Sequence, residues 1–144
     1  MIHHVSIPAV DPRRAAEVFA ELVGGRVTPF KAYEGGWIAW TDDAVGTSIE
    51  FFPVGTEMFP HPGEGMVEFR HVEGASPFVA THLTLSVDRT VDEVVALADR
   101  EGWRARVISR GPNDVIEFWV ENAVMVEVMT PKMTADFLAE VRPG

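Results

Sequence analysis

Two segments of this chain carry the same order of parts, and that repetition limits the folds open to it. The first begins on a short alternating run with a histidine, His4 in HHVSIPAVD, passes through a helical stretch and reaches a glutamate, Glu50 in TSIEFF. The second runs from His82 in THLTLSVD to Glu127 in VMVEVM. His4 and Glu50 stand 46 positions apart, His82 and Glu127 45. A repeated unit of supersecondary structure buries its apolar faces by pairing the copies. Two histidines and two glutamates brought together in this way have the chemistry of a metal site.

The boundaries of each copy are readable. Residues 2 to 8 alternate as a strand does, and Asp11 followed by Pro12 gives an N-cap and a proline at the first helical position. Ala15, Val18, Phe19, Leu22 and Val23 recur at helical spacing, and Gly24 and Gly25 supply the stop. Three strands are expected next, near 26 to 32, 36 to 41 and 46 to 52. The second copy repeats the order, with a helix at about 90 to 101 bearing a stripe of Val91, Val94, Val95, Leu97 and Ala98 and stopped at Gly102. Its strands are expected near 103 to 109, 114 to 120 and 123 to 129, and a last helix near 134 to 141 with Thr134 as its cap.

The sum is an α+β chain of one domain, with a first module over 1–52, a second over 80–130 and a C-terminal helix within 131–144. Between the modules, residues 53 to 79 form a longer connection than compact domains ordinarily use. Its Met58, Phe59, Met66, Phe69 and Phe78 are too apolar for a free linker, so it is expected to pack as a lid over a pocket or against a partner subunit.

Composition narrows the chemistry. At 144 residues and 47% hydrophobic, with nine Phe and four Trp, the chain can bury the core of one domain. Acidic residues outnumber basic ones 22 to 12, the net charge is -10 and the positive charges are scattered, which excludes nucleic acid and anionic membranes as expected partners. With no cysteine there are neither disulfides nor thiolate sites, so any metal is held by imidazole and carboxylate and is a hard or borderline divalent ion. The start MIHHVSIPAV has neither a charged leader nor a long apolar run, and the expected address is the cytoplasm.

Strand parity sorts the candidates. His4, Ser6 and Pro8 share one face of their strand, and His3, Val5 and Ile7 share the other, which a helix should cover. This selects His4 over His3. His82, Thr84 and Ser86 oppose Leu83, Leu85 and Val87, and Glu127 lies with Met125 and Met129, opposite Val124, Val126 and Val128. Glu50 is flanked by Ser48 and Phe52, with Ile49 and Phe51 on the other face. A carboxylate in such surroundings needs a donor, a cation or a metal. A single strand histidine is more often an ordinary hydrogen-bonded residue than a ligand; recurrence of the pair in both copies is what favours a site.

With the openings HVSIPAVD and HLTLSVD, the helix after each, and the closing strands IEFF and VEVM, nearly the whole chain resembles the vicinal oxygen chelate superfamily, the fold of glyoxalases, bleomycin-resistance proteins and ring-cleaving dioxygenases. The resemblance implies two βαβββ modules curled into a half-open, barrel-like cup of paired mixed sheets, with helices on the convex side. It implies that His4, Glu50, His82 and Glu127 hold one divalent ion, whether Zn, Ni, Co, Mn or Fe. A set of four resembles glyoxalase I, whereas the dioxygenases and fosfomycin-resistance enzymes generally lack an equivalent of Glu50. The implied chemistry is that of a lyase or isomerase. A substrate with vicinal oxygens chelates the ion, and Glu127 or Glu50 removes and returns a proton alpha to a carbonyl, Glu127 being favoured for its methionine neighbours. Trp37, Phe118 and Trp119 are candidate pocket walls, and Arg104, Arg106 and Arg110 either meet an anionic substrate or, as the plainer reading has it, form a solvated edge strand. The competing readings are a non-catalytic binding or antibiotic-resistance protein and an extradiol dioxygenase. The resemblance also implies a homodimer whose sites lie at the subunit interface.

Overall fold

The helix signals operate as written. Asp11 accepts a hydrogen bond from the Arg14 amide at 3.0 Å, Pro12 takes the first helical position, and Gly24 ends the helix at φ 71°. Thr90 and Glu93 close a reciprocal capping box on the second helix, which Gly102 ends at φ 70°.

The computed structural model describes residues 2 to 142. Its first module contains β1 (His4–Ala9), α1 (Pro12–Val23), β2 (Arg26–Pro29), β3 (Trp37–Trp40) and β4 (Ser48–Pro53). A hairpin of β5 (Thr56–Phe59) and β6 (Glu68–His71) follows. The second module contains β7 (Leu83–Ser86), α2 (Val91–Glu101), β8 (Arg104–Ser109), β9 (Asp114–Val120) and β10 (Val124–Met129), and α3 (Pro131–Val141) ends the described chain.

The sheets have matching orders, β1-β4-β3-β2 and β7-β10-β9-β8. In each, the first strand pairs in parallel with the last because a helix carries the chain across, while the remaining pairs are antiparallel. These are the two βαβββ modules expected of an α+β chain.

A single buried cluster joins them. It runs from Ile7, Ile49 and Phe51 of the first sheet through Val18 and Phe19 of α1 to Phe118, Val126 and Val128 of the second. The Phe19 ring lies 5.2 Å from Phe51 and 6.0 Å from Phe118, so α1 has a sheet on either side. At the rim, Arg100 binds the Glu21 carboxylate with bonds of 2.9 and 2.7 Å, and Arg14 reaches Glu101. Glu121, in the β9–β10 turn, accepts from the amides of Val10 and Asp11. Among the described residues no helix is long and apolar enough to cross a membrane.

Gly25 is fixed by proximity. A Cβ there would lie 1.7 Å from the Trp40 carbonyl oxygen, a backbone atom of the neighbouring strand. Gly25→Ala is expected to cost about 3 kcal/mol, because β2 and β3 must part to accept it; chemical denaturation measures the loss.

Two expectations need correction. The strand expected over 26 to 32 stops at Pro29, because the Phe30 amide donates to the Gly36 carbonyl at 2.9 Å and closes a loop. The 53–79 connection holds the β5–β6 hairpin, anchored by Phe69 against Tyr33 and Phe52 at 5.0 and 5.9 Å. The last helix begins at Pro131 rather than 134, with Thr130 as its cap, and Thr134 lies inside it, donating to Ser86 at 2.9 Å.

Candidate functional site

Because strand side chains alternate, the face of β4 opposite Ile49 and Phe51 carries Ser48, Glu50 and Phe52. The face of β10 opposite Val126 and Val128 carries Met125, Glu127 and Met129. Both glutamates thus point away from the shared core. Each meets a hydroxyl from the parallel strand beside it, at the register position directly opposite. Ser6 faces Glu50 and donates to Oε2 at 2.8 Å, and Thr84 faces Glu127 and donates to Oε2 at 2.9 Å. One bond fixes each carboxylate's orientation and leaves Oε1 for another partner.

In the first module that partner is His4, whose Nε2 lies 3.9 Å from Glu50 Oε1. His3 makes no contact with Glu50; its Nδ1 lies 2.9 Å from the Val45 carbonyl oxygen. His82 stands one residue ahead of β7, and its Nδ1 lies 3.0 Å from the Ala80 carbonyl oxygen. A ring donating from Nδ1 to a carbonyl leaves the Nε2 lone pair free, the tautomer suited to a metal. His3, His4 and His82 all border a cleft of about 410 Å³ near the start of β1 and β7, whereas Glu50 and Glu127 do not line it. Among the described residues no three His, Asp or Glu side chains converge on one ion. Glu50 and Glu127 therefore stand on two outward faces, while His4 and His82 share one cleft.

The second half contains a residue that the sequence reading passed over. Glu117 on β9 is the register partner of Glu127 and of Arg106, so it shares the outward face with both. It is 7% exposed. Arg110 bridges the two carboxylates, with Nε 3.0 Å from Glu127 Oε1 and Nη2 2.9 Å from Glu117 Oε1. Arg106 contributes Nη2 at 3.2 Å to Glu117 Oε2. Two of the arginines read as a solvated edge thus neutralise two carboxylates. The signal available beforehand was the spacing Arg104-x-Arg106 facing a glutamate inside VIEFWVE, which needs the β8–β9 register to be interpreted.

Burial pushes the Glu117 carboxyl up, but the Trp119 indole, Arg106 and Arg110 outweigh burial and hold it below the ordinary carboxylate range. A carboxyl depressed by folding contributes stability that is complete above its unfolded pKa and is lost as pH falls through the folded value. Glu117→Gln is therefore expected to flatten the acid-side decline in Tm between about pH 5 and pH 3; thermal melts across that range measure it.

The proposed aromatic walls divide. Trp119 lies on the outward face, with Nε1 3.4 Å from Glu117 Oε2. Phe118 does not: it is fully buried with Val126 on the core face, at 5.8 Å from Trp103. Trp37 is likewise paired with Phe51 on the helix side, beneath the Arg13 guanidinium at 5.1 Å. Alternation carries both away from the glutamate faces. Arg104 is exposed beside Trp119 and Asn122.

No family model and no curated protein matches the sequence. Solved structures do match the fold. The chain superimposes on the fosfomycin resistance protein FosX from Mesorhizobium loti with a TM-score of 0.57 at 12% identity, covering 95% of this chain and 96% of that one. It matches a glyoxalase family protein from Bacillus anthracis with a TM-score of 0.56 at 16% identity over 90% and 93% of the two chains. The oxidase ChaP-H1 gives 0.55 at 15% identity over 90% and 94%. At these identities the likeness is one of fold, over almost the full length of both partners.

Proposed function

We propose, from the premise that this chain has the vicinal oxygen chelate fold, that it is a metal-dependent lyase or isomerase of the glyoxalase and epimerase type. The observation that carries this reading is the duplicated carboxylate and hydroxyl pair, Ser6 with Glu50 and Thr84 with Glu127, at the same register in both modules. Such duplication has no use in the core, since both pairs face away from it. The donor set of two imidazoles and two carboxylates suits Zn, Ni, Co, Mn or Fe. His4, Glu50, His82 and Glu127 would hold the ion, which when bound would supply Lewis-acid stabilisation of negative charge on the substrate oxygens.

The chain's own residues divide the remaining work. Glu50 faces His4 and has no arginine on it, so it is the carboxylate suited to take a proton alpha to a carbonyl and return it. Ser6 keeps its Oε1 aimed outward. Glu127, favoured from its methionine neighbours, instead has Oε1 engaged by Arg110 and Oε2 by Thr84, so neither oxygen is open to a proton. Arg110 and Arg106 keep the second wall near neutrality, and Trp119 shields part of it from water.

Because Glu50 and Glu127 face outward on two separate sheets, a second copy would bring the His4 and Glu50 face of one subunit against the His82 and Glu127 face of the other. The functional unit on this reading is a homodimer with its sites at the interface, each shared between subunits. Titration of dialysed protein with zinc or cobalt should show one ion per chain. The loaded protein should then exchange the alpha proton of a 2-oxoaldehyde hemithioacetal or a 2-methyl acyl thioester with deuterium. Absence of stoichiometric binding, with the fold intact, contradicts the reading.

A further inference from the structure

The β5–β6 hairpin encloses a space on the Glu50 side of the first sheet. Pro8 and Phe52 are register partners there, two residues along their strands from Ser6 and Glu50, which are partners themselves. At about 3.3 Å per residue the two pairs lie about 7 Å apart. Met58, Val72, Ala75 and Val79 face Pro8 and Phe52 across a cavity of about 280 Å³, and Ser6 forms its near wall. The Phe52 ring is locked by Phe30, Tyr33 and Phe69 at 5.3, 5.4 and 5.9 Å. Met58 and Val79 are 56% and 40% exposed, so these apolar groups line a space that the chain itself leaves open.

The lining has no cation. Its one charged side chain, Glu57, is bound by Arg70 at 2.6 Å. An anionic group entering the cavity would lose its water and meet no positive charge, while a cavity of about 150 Å³ already suffices for benzene.

Resting on the proposed role of Glu50, we infer that the hairpin cavity is a selectivity pocket for an uncharged apolar substituent of about phenyl size, carried by the carbon whose proton Glu50 moves. The spacing of about 7 Å along the strand between the Ser6–Glu50 and Pro8–Phe52 pairs leaves room for a ring borne by a carbon held beside Glu50. The substrate class is a small neutral 2-oxo or 2-methyl acyl compound with an aryl or branched alkyl group, and an anionic conjugate such as a peptide thiol adduct is excluded from this pocket.

The test uses metal-loaded protein and calorimetry with hydroxamates of 2-hydroxy acids bearing methyl, phenyl or carboxyethyl substituents, alongside benzyl alcohol, which has no chelating group. The phenyl hydroxamate should bind at least about tenfold tighter than the methyl one, and the carboxyethyl one no tighter. Ala75→Phe and Val79→Phe, each filling the cavity from the segment that follows β6, should remove the phenyl advantage and the benzyl alcohol binding while sparing the methyl compound. Equal binding of all three hydroxamates, unaffected by either substitution, overturns the pocket while leaving the metal site standing. Binding of benzyl alcohol that both substitutions abolish, without any hydroxamate binding, supports the pocket and overturns the metal site instead.

Discussion

Glu50→Gln will lower turnover on an alpha-proton transfer substrate by about 10²- to 10⁴-fold at saturating metal, the range that a positioned general base supplies. The amide is isosteric and accepts the Ser6 hydrogen bond, so the strand and its register persist. What it cannot do is hold the proton. Solvent deuterium exchange at the alpha carbon separates chemistry from binding: the variant should retain bound ligand yet exchange little. Glu127→Gln provides the contrast. It releases Arg110, which keeps its bond to Glu117; like Glu50→Gln it should lower metal affinity, but at saturating metal it should spare alpha-proton exchange. A Glu50→Gln protein that exchanges at the parent rate would assign the base elsewhere.

Phe19→Ala will destabilise the protein by about 3–5 kcal/mol. The ring is fully buried and touches Phe51 of one sheet and Phe118 of the other. Its loss leaves a void that neither module can close alone. For a chain of this size such a loss corresponds to a fall in Tm of about 10–15 °C. The transition should remain single, because one core serves both modules. Two separated transitions, or a loss below about 1 kcal/mol, would show that the modules do not share that core.

Much of this architecture is legible in the amino-acid order. Asp11-Pro12, Gly24 and Gly102 bound α1 and α2 as their chemistry demands, and alternation in HHVSIPA and VMVEVM places His4 and Glu127 on the faces they occupy. The β5–β6 hairpin was less legible, since TEMF and EFRH are four-residue strands set in a run of proline and glycine. Thr130-Pro131 was a cap and first turn that the apolar pattern of the last helix did not announce, because only Met133 of that helix is buried.

The site divides in the same manner. Parity alone separates His4 from His3, and applied to β9 it also puts Phe118 with Ile116 and Val120 on the core face. What parity cannot supply is which charges meet across strands. Glu117, Arg106 and Arg110 acquire their meaning only from the registers Glu127 with Glu117 and Arg106 with Glu117. Two modules of matching topology also differ in wall chemistry. The row beside Glu50 continues into Ile38 and Thr28, while the row beside Glu127 continues into Glu117 and Arg106. The first half keeps a carboxylate beside an imidazole, and the second keeps one beside a guanidinium.

On the proposed reading His4, Glu50, His82 and Glu127 form one site shared between two subunits. Subunit exchange separates a shared site from two independent ones. Glu50→Gln and Glu127→Gln homodimers should each bind metal weakly when alone. After the two are mixed and re-equilibrated, every mixed dimer should regain one intact set, Glu50 of one chain with Glu127 of the other, and tight metal binding should reappear. If the mixture binds no more metal than its separate components, the shared four-ligand site is contradicted.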